Sequence, residues 1–428
     1  MFLNDLRLLN FRSYCDAAVS FGPGLNVVVG ANATGKTNLL EGAFFALRGT
    51  SPRTRREEKL IAWGQRFTRV AVHLDGLGDR PQEVEVAYAP GEGKRVRWDG
   101  LEVAVLDDLR RRCQVFIFVP ESLLLVKGSP ARRRAHVDAF AAAVDPPYSA
   151  AARDVQTALR QRNAQLVNVR AGAAAATLDP WDAQFARAAV DLGRRRATLV
   201  ADLGARFAEL AAGLAPAEER FALQLVSQLD GLGFDEDALL ERLRERRAVE
   251  VQRGLTLVGP HRDDLRFVEV GADGVEVEGA ADGGDRPAAT GAPADGATAS
   301  AAGAIPAPGA SCGSVTLPAG GRDLRLFGSQ GEQRAAVLAL LLAEQALAAE
   351  RTGEVGALFL DDVMSELDDA RRRLLVAQLA GAGQAIITTT NRHYFTDAEL
   401  AAATLIELPL TDTPGGRPPD APEREGHG

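Results

Sequence analysis

The sequence predicts an α/β protein with mixed sheets and an inserted lobe of short helices. Apolar runs typical of strands buried on both faces occur at both ends of the chain, as in LNVVVG (25–30) and ALFLDD (357–362). Between 67 and 99, alternating segments separated by turn sequences indicate antiparallel strands. From 130 to 250 the pattern changes to helical segments rich in Ala and Arg, so a helical insertion is expected to divide the strands.

The predicted elements of the main domain can be placed in chain order. LNVVV precedes a glycine-rich loop, and the helix NLLEGAFFALR that follows should end at Gly49. Strands are expected at 2–9, 25–29, 67–75, 82–89, 94–99, 115–120 and, beyond the helical lobe, at 255–259, 357–360 and from 385.

Four segments are therefore expected. They are 1–129 and 251–410 (the two parts of the main domain), 130–250 (the helical lobe) and 411–428 (a disordered tail). The breaks DPP, LDP and GLAP predict short helices in the lobe and no long coiled coil. Residues 271–320 are dominated by Ala, Gly and Pro, and we expect a flexible insertion there, between hairpin arms at 265–270 and 322–327.

Composition limits the classes of function. The chain has 428 residues and a formal net charge of −9, so nucleic acid could bind only at local basic patches. Cys15, Cys113 and Cys312 have no metal spacing and are expected to be free thiols in a reducing cytosol. No signal peptide and no run of 18 apolar residues is visible, so a cytoplasmic protein without a membrane span is expected.

The loop GANATGKT (30–37) fits the P-loop pattern, with a buried strand before it and a helix after it. Its backbone N–H groups and the helix N-terminus should face the phosphates of ATP. Lys36 would add a positive charge, and Thr37 would give a hydroxyl ligand to Mg²⁺. A chance glycine-rich turn is the alternative. The predicted nucleotide-binding residues are Gly30, Ala31, Asn32, Ala33, Thr34, Gly35, Lys36, Thr37 and Asn38.

Two carboxylates follow the buried strand ALFL, at the edge where ligands collect in open α/β sheets. Asp361 is placed to hold Mg²⁺, directly or through water, and Asp362 to orient or deprotonate a water that attacks the γ-phosphate. A solvated acidic turn is the alternative. In AIITTTNRHYF (385–395), either Thr390 or His393 could contact the γ-phosphate, although a lone His is more often structural.

A second helix start of phosphate-binding type opens the run SQGEQR. Ser329 is expected to cap this helix, with Glu332 completing a capping box. The segment is then either a helix start alone or, through Ser329, Gln330, Gly331 and Glu332, a second anion site.

The combination of P-loop, carboxylate pair and second helix start resembles the ABC ATPases. This resemblance implies an ABC/SMC-like P-loop ATPase head in which the signature loop of one subunit covers ATP held by another. Two subunits would then form an ATP-dependent homodimer. SELD (365–368) resembles the D-loop that crosses such an interface, with Ser365 and Asp368 as its polar members.

Blocks along nearly the whole chain resemble the RecF family of recombination-repair ATPases. They are LNFRSY (9–14), GANATGKTNLLEG (30–42), SPRT (51–54), VFIFVPESLLLVKGSPARRRAHVDA (115–139), LTLVGPHRDDL (255–265), LFGSQGEQRAAVLALLLAE (326–344) and LFLDDVMSELDDARR (358–372). The resemblance implies binding of gapped DNA at single-strand/double-strand junctions, and work with RecR and RecO in loading RecA. The chain departs from the family pattern at Ala33-Thr34, at Ser51-Pro52-Arg53, which lacks a His, and at Ser122.

Basic clusters are the candidates for DNA contact. Residues 48–69 hold seven basic and two acidic residues, and other clusters lie at 110–112 and 132–134. Solvated faces, or contacts to nucleotide, are the alternatives. Few aromatic residues are interleaved, so phosphate contact is expected to outweigh base stacking. The residues singled out are Arg53, Arg55, Arg56, Arg132, Arg133 and Arg134.

Three further expectations concern mechanism and class. His261, Arg262 and Asp263 should form a polar network between the helical lobe and the head. Asp362 is shorter than the Glu of most ABC ATPases, so hydrolysis should be slow, with DNA as a possible stimulus. An ATPase subunit of a membrane transporter and an ATP-gated scaffold with incidental hydrolysis are the competing classes.

Overall fold

The structure, a computed structural model, describes residues 1–77, 80–103, 106–214, 220–270 and 321–410. The expected insertion at 271–320 and the expected tail at 411–428 lie outside the described residues.

The described strands follow the chain as β1 (Phe2–Phe11), β2 (Tyr14–Ser20), β3 (Leu25–Val29), β4 (Thr68–Asp75), β5 (Gln82–Ala89), β6 (Gly93–Trp98), β7 (Leu101–Glu102), β8 (Val115–Phe118), β9 (Phe221–Val226), β10 (Asp264–Glu269), β11 (Arg322–Asp323), β12 (Ala357–Asp361), β13 (Ala385–Thr389) and β14 (Thr404–Glu407).

The described α-helices are α1 (Lys36–Arg48), α2 (Leu106–Arg112), α3 (Leu124–Lys127), α4 (Pro130–Val144), α5 (Pro146–Arg170), α6 (Asp179–Leu214), α7 (Glu236–Arg253), α8 (Leu324–Phe327), α9 (Gln330–Thr352), α10 (Asp369–Leu379) and α11 (Asp397–Ala402).

A parallel five-stranded sheet carries the candidate site. Its strand order is β14-β3-β13-β12-β8, and every neighbouring pair runs parallel. The strands that the apolar runs predict, β3, β8, β12 and β13, occupy four neighbouring positions. Because helices cover both faces of such a sheet, these strands carry apolar side chains on both sides. All their carboxyl ends meet at one edge, where β3 leads into the P-loop and β12 into Asp362.

A second, antiparallel sheet has the order β2-β1-β4-β5-β6-β7. The predicted strands at 67–75, 82–89 and 94–99 are confirmed as β4, β5 and β6, within a residue or two at each end. Strand β2 was not predicted. Its sequence YCDAAVS has one buried residue, since it lies at the sheet edge, and so it lacks the alternation that marks a half-buried strand.

The prediction of short helices in the region 130–250 is wrong. Helix α5 has 25 residues and α6 has 36. The breaks at DPP and LDP do separate helices, since Pro146 and Pro147 lie in the first turn of α5 and Pro180 in the first turn of α6. Proline is tolerated there because the first N–H groups of a helix have no intrahelical acceptor. The break GLAP (213–216) extends beyond the described residues.

A buried arginine ties α5 to its neighbours. The Arg162 side chain is fully buried and donates to Asp182 of α6, to Glu250 of α7 and to the Thr256 hydroxyl, each at 2.7 Å. Its guanidinium also lies 5.8 Å from the ring centroid of Phe185. A buried charge is tolerated when it is paired and hydrogen-bonded in this way.

Two further expectations about strands are wrong. Residues 255–259 form no strand, because Gly254 ends α7 in the left-handed region and the Thr256 N–H donates to the Asn163 side chain at 2.8 Å. The expected hairpin arm 322–327 pairs only through Arg322 and Asp323. It stops because the Asp323 side chain accepts the Arg325 N–H at 2.8 Å and caps α8.

The core lies on both faces of the parallel sheet. Val28, Phe359 and Ile386 pack toward α1 and the antiparallel sheet. Val27, Leu360 and Ile387 pack on the opposite face, among the helices from α4 onward. Adjacent strand residues point to opposite faces, so each strand contributes to both halves. Helix α9 is buried on nearly all sides over Ala335–Ala343, which holds its exposed N-terminus rigidly.

Candidate nucleotide site and the surfaces around it

The P-loop joins the carboxyl end of β3 to the N-terminus of α1. Gly35 has φ +100° and no side chain caps the helix, so its first N–H groups are directed toward the loop interior. A Cβ at Gly35 would lie 2.8 Å from the Tyr14 hydroxyl oxygen, and that hydroxyl donates to the Gly35 carbonyl at 3.1 Å. Burial raises the pKa of Tyr14 to about 12, so this donor stays protonated.

Lys36 lies inside the loop. Its Nζ donates to the carbonyls of Gly30 at 2.7 Å and Ala31 at 2.9 Å, and the residue is 7% exposed. Burial lowers the pKa of Lys36, against the opposing effect of the nearby carboxylates of Asp362 and Asp361. The ammonium therefore lies where an anion in the loop would stabilise its charge.

Asp361 connects the P-loop to the neighbouring strands. Its Oδ2 accepts from the Thr37 hydroxyl and its Oδ1 from the Thr388 hydroxyl, each at 2.7 Å. Burial raises the pKa of Asp361, and these two hydrogen bonds oppose the effect. Asp361 and Thr388 are register partners on β12 and β13, which explains why Thr388 reaches the carboxylate.

The chemistry of this pair suits Mg²⁺. A hydroxyl and a carboxylate are hard oxygen ligands, and Mg²⁺ commonly binds one or two such protein groups together with substrate phosphates. Within the described ranges, no cluster of three or more His, Cys, Asp or Glu side chains forms a complete metal site. A cation held by Thr37 and Asp361 would therefore take further ligands from a bound nucleotide.

Asp362 differs from its neighbour. It has φ +48°, a left-handed conformation that Asp tolerates better than most residues. Its N–H donates to the Thr388 hydroxyl at 2.9 Å. Its Oδ1 is buried and accepts no hydrogen bond from the described residues. Such an oxygen can accept a proton or a hydrogen bond from a group that enters the site.

Sequence reasoning did not find Thr388. Thr390 or His393 stays a predicted phosphate contact, and His393 lies at the surface with its N–H on the Asn391 side chain. The run of three threonines was visible in the sequence. Only the register between β12 and β13 shows which of them faces Asp361.

A buried carboxylate organises the other side of α1. Glu41 is 1% exposed and accepts from both arms of Arg12, at 2.9 and 2.7 Å, from Ser51 at 2.6 Å and from Arg53 at 3.2 Å. Arg53 also donates to the Asn38 side chain at 3.3 Å. Arg53, a predicted DNA contact, is exposed, and its guanidinium lies beside the P-loop helix.

The capping box predicted at 329–332 is confirmed. The Ser329 hydroxyl accepts the Glu332 N–H at 3.2 Å, and the Glu332 carboxylate accepts the Ser329 N–H at 2.6 Å. Ser329 and Gln330 are exposed. Within the described chain, no hydrogen bond or ion pair joins 329–332 to 30–38, so this helix start does not close over its own P-loop.

The segment after Asp362 also presents polar groups at the surface. The Ser365 hydroxyl donates to the Asp362 carbonyl at 3.0 Å, and Asp368 caps α10 by accepting the Arg371 N–H at 2.9 Å. Both Ser365 and Asp368 are exposed.

The basic residues proposed for DNA divide into two groups. Arg55, Arg56 and Arg132 are exposed. Arg133 is 3% exposed and bidentate to Asp264 at 2.7 and 2.9 Å, so the structure contradicts its assignment to DNA. Arg134 is half-buried and donates to the Asp263 carbonyl at 2.6 Å. The three residues thus differ in exposure, because successive positions on the helix α4 face different directions.

A polar network does lie where the segment 260–264 meets the helices. Asp263 accepts from Arg196 of α6 at 2.6 Å, and Arg196 also donates to Asp138 of α4 at 2.9 Å. His261 packs edge-on against Phe185 of α6, with Nε2 3.0 Å from the Thr256 carbonyl. The network joins α4 and α6 to this segment but includes no P-loop residue.

Together, a parallel sheet, a P-loop after β3 and Asp361 at the end of β12 define a P-loop nucleotide-binding head. The family model described as RecF/RecN/SMC N terminal domain matches residues 2–407. A curated relative from Heliobacterium modesticaldum, named DNA replication and repair protein RecF, is 33% identical over 95% of this chain and 97% of its own length. The chain belongs to the RecF family.

Solved structures agree on the fold. One of the recombination mediator protein RecF with ATP, in the RecFOR pathway, has a TM-score of 0.69 at 23% identity and covers 92% of this chain and 93% of its own. A crystal structure of an Smc head bound to the C-winged helix domain of ScpA has a TM-score of 0.53 at 15% identity, covering 96% and 95%. The ABC/SMC-like head predicted from the motifs is thereby confirmed as the fold.

No helix in the described ranges combines the length and apolar character that crossing a membrane requires.

Proposed function

We propose that this protein is an ATP-dependent DNA-binding ATPase of recombinational repair and replication-fork maintenance. The observation that carries the proposal is the hydrogen bond of 2.7 Å between Thr37 and Asp361. It brings the P-loop helix and the strand of the acidic pair to one point, where a metal–nucleotide complex can bind. A solved RecF with ATP has the same fold, which supports ATP as the nucleotide.

In this proposal residues 30–38 bind the phosphates, and Thr37 and Asp361 hold Mg²⁺. The cation would neutralise phosphate charge. Lys36 changes its acceptors from the carbonyls of Gly30 and Ala31 to phosphate oxygens. Asp362 orients the attacking water through its unpartnered Oδ1. Its short side chain favours slow hydrolysis, which DNA is expected to stimulate.

The exposed start of α9 supports an ATP-driven homodimer. The N–H groups that the capping box leaves free at this helix start attract anions, and residues 329–332 make no polar contact with their own P-loop. We infer that Ser329, Gln330, Gly331 and Glu332 cover ATP bound by a second copy, with Ser365 and Asp368 at the same interface. Binding of ATP would then join the subunits and hydrolysis would release them.

The relatives named DNA replication and repair protein RecF support DNA as the macromolecular ligand. Gapped duplex with single-strand/double-strand junctions is the proposed substrate, bound without sequence preference. Arg55, Arg56 and Arg132 are the exposed candidates for phosphate contact. RecR, RecO and RecA are the proposed partners, the protein promoting RecA loading, and the cytoplasm is the proposed location.

The division of labour along the chain is also proposed. Residues 1–129 and 251–410 form the ATPase head, and 130–250 form the helical lobe. The network of Arg196, Asp138 and Asp263 would transmit movement between them.

Fluorescence anisotropy of a labelled gapped duplex tests the proposal, with ATP, ADP or no nucleotide at one fixed salt concentration. We expect tight binding with ATP alone. Equal binding in all three conditions would contradict an ATP-driven clamp. Absence of binding in every condition would favour an ATPase subunit of another assembly or a scaffold.

A further inference from the structure

Trp63 is a fully exposed tryptophan on a rigid turn. Its relative exposure is 101%, whereas tryptophans are on average highly buried. The turn is anchored to β1 and closed by its own hydrogen bond. The Ala62 N–H donates to the Asn10 carbonyl at 2.9 Å, and the Ala62 carbonyl accepts the Gln65 N–H at 3.0 Å. Gly64 has φ +80°, a conformation that a turn with glycine at this position requires.

Cationic residues flank this indole along the chain. Arg55, Arg56, Lys59 and Arg66 are exposed, and none of them makes an ion pair with a described residue. Glu57, one of two acidic residues in this stretch, is paired with Lys94. Phe67 adds a second exposed ring, 41% exposed. An aromatic face among unpaired cations is the combination that binds single-stranded nucleic acid.

This surface is connected to the nucleotide site. The Lys59 carbonyl accepts from Arg12 Nη1 at 2.9 Å, and the same guanidinium is bidentate to Glu41 on α1. Glu41 also holds Ser51 and Arg53, at the other end of the basic segment. The segment before the Trp63 turn is therefore tied to the helix that begins in the P-loop.

We propose that Trp63 is a stacking platform for an unpaired base of single-stranded DNA, with Arg55, Arg56 and Arg66 on the adjoining phosphates. The inference deepens the proposed function, on which it rests, by assigning the single-stranded arm of a junction to one residue. The charge around the indole selects a polyanion over a neutral protein surface. The sequence predicts that phosphate contact outweighs stacking, because few aromatic residues are interleaved with the basic ones. Only the exposure of Trp63 and Phe67 shows where a base could stack.

Tryptophan fluorescence tests the contact directly. The chain has three tryptophans. Trp98 lies 5.3 Å from the Arg112 guanidinium and Trp181 is half-buried, so a Trp98→Phe/Trp181→Phe variant keeps Trp63 as the single emitter. Titration with oligothymidylate should quench this emission, and duplex without single-stranded ends should not. Unchanged emission at saturating single strand, with binding confirmed by anisotropy, would overturn the proposal.

Affinity variants give an independent test. Trp63→Ala should weaken binding of the single strand by about fivefold to a hundredfold. It should leave the salt dependence unchanged, because no charge is lost. Trp63→Phe should recover part of the affinity. Arg66→Gln should instead lower the salt slope by about 0.7. Trp98→Phe is the matched control and should bind as wild type.

The outcomes separate this inference from the proposed function. If the unmodified protein binds neither duplex nor single strand, the function itself fails. A second outcome is that the unmodified protein binds DNA with ATP while Trp63→Ala binds single strand and gapped duplex as tightly as the unmodified protein does. In that case only the stacking inference fails. A loss of duplex binding in Trp63→Ala equal to the loss for single strand would also overturn it, since a paired base cannot stack on the indole.

Discussion

At the scale of single residues, two adjacent aspartates have different environments. Asp361 ends a buried strand and accepts two threonine hydroxyls, whereas Asp362 turns into the left-handed region and keeps one oxygen without a described partner. Adjacent strand positions point to opposite sides, and the change in backbone conformation at Asp362 redirects the second carboxylate. Asp361 is therefore suited to hold a cation, and Asp362 is suited to orient or deprotonate a water.

This difference makes a prediction about hydrolysis. Asp362→Asn keeps the size and tolerates the positive φ, but it removes the carboxylate that would orient or deprotonate water. Phosphate release should fall by about 10²–10⁴-fold, with ATP affinity retained in a nucleotide titration. Asp369→Asn, at an exposed aspartate of α10, is the matched control. Hydrolysis at the wild-type rate in Asp362→Asn would exclude this residue as the base.

At the scale of elements, the helices from α4 to α7 are tied to the segment 254–264 by buried polar groups. Arg162 donates to three partners, and Arg196 donates to four, in each case on three different parts of the fold. Because a buried charge without its partner is costly, these arginines specify how the helices pack. His261 lies in the same junction, against Phe185.

His261 makes the junction sensitive to acid. Burial is the main cause that lowers the pKa of His261, to about 4, from about 6.5 in an unfolded chain. The folded protein thus favours the neutral imidazole. The stability that this preference contributes is present above about pH 6.5 and is lost as the pH falls toward 4.

Urea unfolding at a series of pH values between 7 and 4 measures this loss. His261→Gln, which can still donate to the Thr256 carbonyl, should lose less stability than wild type over that window. His73→Gln, at an exposed histidine of β4, is the control and should follow wild type. Parallel curves for wild type and His261→Gln would contradict the prediction.

At the scale of the whole molecule, the P-loop and the start of α9 present separate surfaces. Ser329→Arg places bulk and charge at the proposed interface between copies. The variant should stay monomeric with ATP and still bind ATP, with dimer affinity reduced by about tenfold or more. Light scattering with and without ATP measures the assembly. Ser329→Thr, which keeps a capping hydroxyl, is the control.

Loss of ATP binding together with loss of assembly in Ser329→Arg would show that the loop acts within one chain. A dimer of wild-type affinity would place the interface elsewhere.

Much of the fold and the centre of the site could be predicted from local patterns. The P-loop residues, Asp361, Asp362 and the capping box of Ser329 and Glu332 are defined by spacings of a few residues. Apolar runs likewise indicated β3, β8, β12 and β13. Patterns of this length reflect hydrogen bonding and burial within one element, so the sequence by itself determined what these elements are and which groups they carry.

Only the tertiary structure decided which distant groups meet. The register of β12 against β13 places Thr388 on Asp361, and the packing of α1 brings Arg12 and Arg53 to Glu41. Packing also buries Arg133 and leaves Trp63 in solvent. The physical reason is that exposure and partner choice depend on elements far apart in the chain, which no short sequence window contains.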